Sequence, residues 1–187
     1  MRTLAVLLLC ASVLWARDSS KNHIFIGVST GFQTLRMVPT PWQNNFLWGI
    51  RGGYQFNALK YLAIRANMDY IMALRPTALH TNVYSFLSFN VDMINDFYHI
   101  SKKMAVGTYV GVGFGYFQNA QTLNSPVNAR SFMGYNGIVN VGLGGTLAQK
   151  HRVELGVKFP FGKIKSTRYA EIMMQTYYWI ASYAYLF

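Results

Sequence analysis

Seven charged residues stand at spacings that could do chemistry: Arg51, the pair Arg65 and Asp69, Asp92, and the set Arg152, Glu154 and Lys158. Intervals of two and four residues put the members of each group on one side of an extended chain, because side chains alternate along a strand with a period of two. Opposite signs gathered on one buried face must pair, since an isolated buried charge costs several kcal/mol. A paired set of this kind either fills a core or gates a narrow passage. Arg51 and Arg65 carry like charge at similar depth, and Asp69 and Glu154 are the nearest carboxylates by expected height.

Material for catalysis is scarce. There are four histidines (His23, His80, His99 and His151), six carboxylates, and no serine or cysteine in a recognised nucleophile motif. His80 with Ser85 just beyond it, oriented by Glu171, is the one nucleophile arrangement to weigh, and its plainer reading is a solvated loop histidine. No cluster has metal-ligand spacing and no glycine loop is built to cradle phosphate. The expectation is no enzyme, no metal and no cofactor.

The elements that carry the charges read as strands. In FLWGIRGGYQF, residues 46–56, one parity collects Phe46, Trp48, Ile50, Tyr54 and Phe56 while the other holds Leu47, Gly49, Arg51, Gly53 and Gln55. MAVGTYVGVGFGYF, residues 104–117, alternates in the same way. Extending the period-two rule predicts eight strands, near 23–32, 46–56, 60–70, 83–93, 104–117, 132–147, 152–161 and 173–187. The connections 33–45, 71–82, 118–131 and 162–172 are long, 57–59 and 148–151 are tight, and 94–103 is intermediate. Long loops on one rim, short turns on the other and an even strand number predict an all-β, up-and-down, eight-stranded antiparallel transmembrane barrel.

Sterics decide which parity faces inward. The interior of eight strands is just wide enough for side chains to fill, and the face with Phe46, Trp48, Tyr54, Phe114, Tyr116, Phe159 and Trp179 is too bulky for it. That face is expected outside, against lipid. Glycines, Asn67, Asn90, Asn140 and the seven charges then line the interior. A soluble eight-stranded lipocalin or a sandwich would need the reverse arrangement.

Composition agrees with lipid as the outer solvent. Of 187 residues 52% are hydrophobic, 16% aromatic and only 12% charged, against about 25% charged in ordinary soluble domains. No run reaches the roughly 20 apolar residues of a membrane helix. Leu4 to Leu14, behind Met1-Arg2-Thr3 and ahead of Ala16, reads as a secretory signal peptide. Residues 1–16 are therefore assigned to the leader and 17–187 to the barrel. The single cysteine, Cys10, leaves with the leader, so the mature chain has no disulfide.

The chain ends QTYYWIASYAYLF, with alternate aromatics leading to a terminal Phe. Tyr183, Tyr185 and Phe187 resemble the signal that bacterial outer-membrane barrels present to their assembly machinery. KYLAIRANMDY (60–70), KKMAVGTYVGVGFGY (102–116), HRVELGVKFPF (151–161) and YYWIASYAYLF (177–187) are together similar to successive strands of the carboxy-terminal barrel of the Helicobacter outer membrane protein family. That family includes adhesins and pore-forming members. The chain lacks the extended amino-terminal head of the large adhesins, so the resemblance implies the barrel and not a receptor specificity.

The formal charge is +11. Arg36, Arg75, Arg130, Lys163, Lys165 and Arg168 are expected in outer loops, where lipopolysaccharide phosphates are natural counter-charges. The basic residues gather on no single groove or helix, which argues against nucleic acid. The reading is a bacterial outer-membrane barrel with a structural or surface-interaction, adhesion-type role and a packed lumen. A narrow porin-like pore for small solutes or ions is the alternative. Expected partners are outer-membrane lipid and lipopolysaccharide, the barrel assembly machinery and a host surface ligand.

Overall fold

Alternating side chains do close into one sheet in the computed structural model, which describes residues 22–37, 41–59, 61–76, 80–101, 104–123, 131–161 and 174–187. The leader and its cleavage after Ala16 lie outside the described residues. Eight strands follow in chain order: β1 (His23–Met37), β2 (Gln43–Asn57), β3 (Leu62–Pro76), β4 (His80–Ser101), β5 (Met104–Leu123), β6 (Ser131–Leu147), β7 (His151–Phe161) and β8 (Met174–Leu186). Each pairs antiparallel with its sequence neighbour, and β1 pairs with β8 to close the barrel. The closing seam runs from Phe25↔Leu186 to Met37↔Met174. Closure leaves no edge, so the backbone groups of every strand can be satisfied within hydrocarbon.

The two faces differ as sterics require. Ile26, Phe32, Phe46, Ile50, Phe89, Val112, Phe114, Leu143, Leu155 and Trp179 are all exposed, while Phe25, Leu47, Arg51, Arg65, Asp92 and Arg152 are buried. In water such an exterior would be one apolar surface far larger than soluble monomers tolerate. In a bilayer it is the face that acyl chains cover, and the barrel is a transmembrane one.

Strands extend beyond their expected ends, chiefly at the rim with the long loops. β1 continues to Met37, β3 to Pro76, and β4 begins at His80 and runs to Ser101, where the intermediate connection was expected. Arg36 and Arg75 therefore stand on β1 and β3, not in loops. Past mid-strand the sequence loses much of its polar-inside contrast because several inward positions turn apolar: Leu35 on β1, Ile71 and Ala73 on β3, Tyr84 and Phe86 on β4. Alternation continues there with greasy residues on both faces. At the other end of β4 the register with β5 shifts between Asn95 and Tyr98 and again between His99 and Ser101. These bulges turn the adjacent Phe97 and Tyr98 both outward.

Two turn and packing details carry strain or close approach. Ala148, Gln149 and Lys150 link β6 to β7; the first two have φ of 51° and 61°, and Lys150 N–H donates to Leu147 C=O at 3.1 Å. That is a β-turn with both central residues left-handed, a conformation that Asn-Gly adopts readily. Inside, Tyr109 on β5 lies across Gly142 and Gly156, where an added Cβ would collide with its ring and hydroxyl.

Candidate functional site

The lumen is the site, and register builds its first two pairs. Arg51 stands opposite Asp69 across β2 and β3, and Arg65 stands opposite Asp92 across β3 and β4. Their heads meet: Arg51 Nε is 3.3 Å from Asp69 Oδ1, and Arg65 Nη2 donates to Asp92 Oδ2 at 2.8 Å. Glu154 reaches across from β7 and joins the two pairs. It accepts from Arg51 Nη1 at 2.7 Å, from Arg65 Nη1 at 2.6 Å and from Arg152 Nε at 2.6 Å. One carboxylate is thus held by three guanidiniums from three strands.

The network is closed at both ends. Lys158 Nζ sits 2.6 Å from Asp69 Oδ2 and donates to Asn140 Oδ1 at 3.2 Å. Arg152 Nη1 donates to Asp96 at 3.1 and 3.2 Å and to Thr146 Oγ1 at 2.8 Å. Asn67 donates to Asp92 at 2.7 Å, and Asn140 to Asn90 and Asp92 at 3.0 and 3.1 Å. Four cations (Arg51, Arg65, Arg152 and Lys158) face four carboxylates (Asp69, Asp92, Asp96 and Glu154), so the network is electrically neutral. Between them remains a void of about 10 Å³, lined by Ser29, Arg51, Asp69, Tyr109, Asn140 and Lys158. That is room for about one water.

All seven charges expected in the lumen point into it. Two features were not expected. Arg65 takes Asp92 and Glu154 as partners, not Asp69, because barrel shear sets relative height and parity does not encode it. Asp96 also belongs to the network; it continues the inward series of Asp92 and Ile94, and the sequence hides it because the bulged end of β4 breaks the alternation.

A second barrier lies toward the long-loop rim. Leu35, Leu47, Ile71, Ala73, Tyr84, Phe86, Phe117, Ile138 and Tyr178 form one buried apolar cluster inside the barrel. Phe86 and Tyr178 stack across it at 4.8 Å. The expectation of a lumen lined by glycine, asparagine and charge is therefore corrected in part for this half, where the cluster packs beside the inward Gln33, Asn45, Asn119 and Asn136. Large rings fit because small residues lie beneath them, as Gly115 does under Phe86, where a Cβ would strike the ring.

The terminal aromatics fall on the outer face. Tyr183, Tyr185 and Phe187 belong to a ring cluster at the short-turn rim. The Tyr183 hydroxyl is 2.7 Å from His151 Nδ1, and Tyr185 meets Phe187 edge-on at 4.9 Å. Phe187 N–H donates to Ile24 C=O at 2.9 Å, and His23 Nδ1 donates to Phe187 C=O at 2.9 Å. Arg130, Lys163, Lys165, Arg168 and Glu171 lie outside the described residues. Ser85 is on the outward parity of β4, away from the lumen charges. Among the described residues no group of His, Cys, Asp and Glu could hold a metal ion.

No protein-family model matches the chain, and no curated protein sequence matches it. Solved structures do. Neisserial surface protein A is similar over 90% of this chain and all of its own length, with TM-score 0.62 at 13% identity. A major outer membrane protein from Thermus thermophilus is similar over 90% of this chain and 100% of its own, with TM-score 0.58 at 11% identity. Ail, the attachment invasion locus protein of Yersinia pestis, is similar over 89% of this chain and 97% of its own, with TM-score 0.56 at 12% identity. Ail has also been solved in complex with the heparin analogue sucrose octasulfate. At these identities the likeness is one of fold.

Proposed function

We propose that the protein is an integral barrel of the bacterial outer membrane with a structural or surface-interaction, adhesion-type role, neither a pore nor an enzyme. The observation that carries this reading is the double occlusion of the lumen. A hydrated ion would have to part a neutral network in which Glu154 holds three guanidiniums, then cross an apolar layer closed by Phe86 stacked on Tyr178 at 4.8 Å. Either step costs several kcal/mol, because charge leaves water or buried pairs are broken. With transport set aside, the lipid face and the outer loops remain as the working surfaces. The strand segments that resemble the Helicobacter outer membrane protein family support a small member of that barrel type. Lipopolysaccharide at the outer rim, the assembly machinery at the terminal aromatic signal and a host ligand of negative charge at the loops are the partners this reading implies. The sucrose octasulfate held by Ail is an example of such an anion on a barrel of similar fold.

The test is planar-bilayer recording on the refolded protein, with insertion checked by heat-modifiable migration. The inserted wild type is expected to show no steady current. A stable conductance proportional to salt would overturn the sealed-lumen reading and establish the narrow pore instead.

A further inference from the structure

The neutral network fixes where the protein's charge must be answered. It takes four of the 17 basic residues and four of the 6 acidic ones, so the whole formal +11 lies outside it. Only Asp18 and Glu171 remain as side-chain carboxylates for all the other cations. Among the described residues, one of those cations stands on the lipid face at the long-loop rim: Arg36, on the outward parity of β1.

Its surroundings are built. The Arg36 guanidinium carbon lies 5.9 Å from the centre of the Trp42 ring. Trp42 stacks on Tyr177 at 5.7 Å with 25° between planes, and Tyr177 meets Phe159 edge-on at 5.8 Å. The aromatic row joins Trp42, just ahead of β2, to Tyr177 on β8 and Phe159 on β7, and it fixes one face of the guanidinium. Arg36 Nε is itself buried and has no hydrogen-bond partner. An aromatic stack satisfies a cation's face but not its N–H groups. One rung deeper, the Thr34 hydroxyl donates to Asn44 Oδ1 at 2.9 Å, which directs the Asn44 amide nitrogen, another donor, onto the same outer surface. Below that, Phe32, Phe46 and Trp179 are exposed where acyl chains lie.

We propose that Arg36, with Trp42 and Asn44, binds the phosphate of an outer-leaflet lipid. The reading rests on the outer-membrane assignment above and gives it a specific lipid contact. Depth selects the source of the phosphate: donors set just above an apolar belt meet a headgroup whose chains lie along that belt, whereas free phosphate would have to leave bulk water for the membrane boundary. A guanidinium held flat on Trp42 presents its fork in the geometry that suits two phosphate oxygens.

The experiment uses the full mature chain in phosphatidylcholine nanodiscs doped with diphosphoryl lipid A or with the same lipid A stripped of phosphate. Native mass spectrometry reads the lipid A retained. The wild type is expected to prefer the phosphorylated form by about tenfold. Arg36→Gln and Trp42→Leu should lower that preference toward one, Arg36→Lys should be intermediate, and Arg75→Gln, on the inward parity of β3, should match the wild type. An excess of inorganic phosphate should leave the bound lipid in place. An unchanged preference in Arg36→Gln, or in Trp42→Leu if the first variant does not fold, would overturn the site. Displacement by inorganic phosphate would overturn the lipid as its source. A wild type that fails to insert at all refutes the outer-membrane assignment, while an inserted wild type without preference refutes the Arg36 site alone.

Discussion

Replacing Glu154 with Gln keeps the shape of the side chain and removes one negative charge from the centre of the lumen. Three charge-assisted hydrogen bonds weaken at once, those from Arg51, Arg65 and Arg152 at 2.7, 2.6 and 2.6 Å. Each is worth about 1.5–3 kcal/mol in isolation. The full sum is not lost, because each arginine keeps a second carboxylate: Asp69 at 3.3 Å, Asp92 at 2.8 Å and Asp96 at 3.1 Å. What remains is a buried lumen with one excess positive charge, and the expected loss is about 3–5 kcal/mol. Urea titration of the protein in detergent micelles, followed by tryptophan fluorescence, measures it. The partner experiment is the double variant Arg51→Gln with Glu154→Gln. Neutrality returns, so the double variant should be more stable than the sum of the single losses by at least about 1 kcal/mol. Neither variant should conduct, because the apolar layer is untouched. A loss below about 1 kcal/mol for Glu154→Gln, or strict additivity in the cycle, would show that the network does not hold the lumen together.

Two further outcomes are expected. Changing both Tyr185 and Phe187 to Ala should lower the yield of heat-modifiable, folded barrel in the outer membrane and raise periplasmic degradation, since each aromatic contributes about 1.5–3 kcal/mol of transfer energy; unchanged folded yield on electrophoresis would rule out that role. Replacing Ala148 and Gln149 with Asn and Gly should raise the urea midpoint by a stabilisation of about 1 kcal/mol, because both positions are left-handed and the new pair adopts that conformation readily.

The eight strands and the direction of each side chain were legible because period two survives wherever one neighbour is lipid and the other is polar or small. Arg51, Gly53 and Gln55 against Ile50, Tyr54 and Phe56 is such a stretch. Strand ends were not legible where the inside turns apolar. Leu35 faces inward and Phe32 outward on the same strand, so hydrophobicity no longer distinguishes the faces and the loop is read as starting early. The stacked pair of Phe86 and Tyr178 escaped for a related reason: whether a ring fits inside depends on glycines such as Gly115 on a neighbouring strand, which a reading along one strand does not weigh. The salt-bridge partners needed height as well as parity. Asp69 and Asp92 share a face, and only the stagger of the strands gives Arg65 to the second.

The seam between β1 and β8 joins residues almost a full chain apart: the contact of His23 with Phe187 spans 164 positions. The first strand of the cylinder therefore waits for β8 to be synthesised before it finds its second neighbour. Until then its backbone edge is open and Glu154 has no stable bridge to Arg51 and Arg65, which lie on strands made long before it. Pairings this distant are slow to form and leave the chain prone to the wrong partners meanwhile. Closure is thus the last pairing the chain can make, since β1 has no second neighbour before β8 is present.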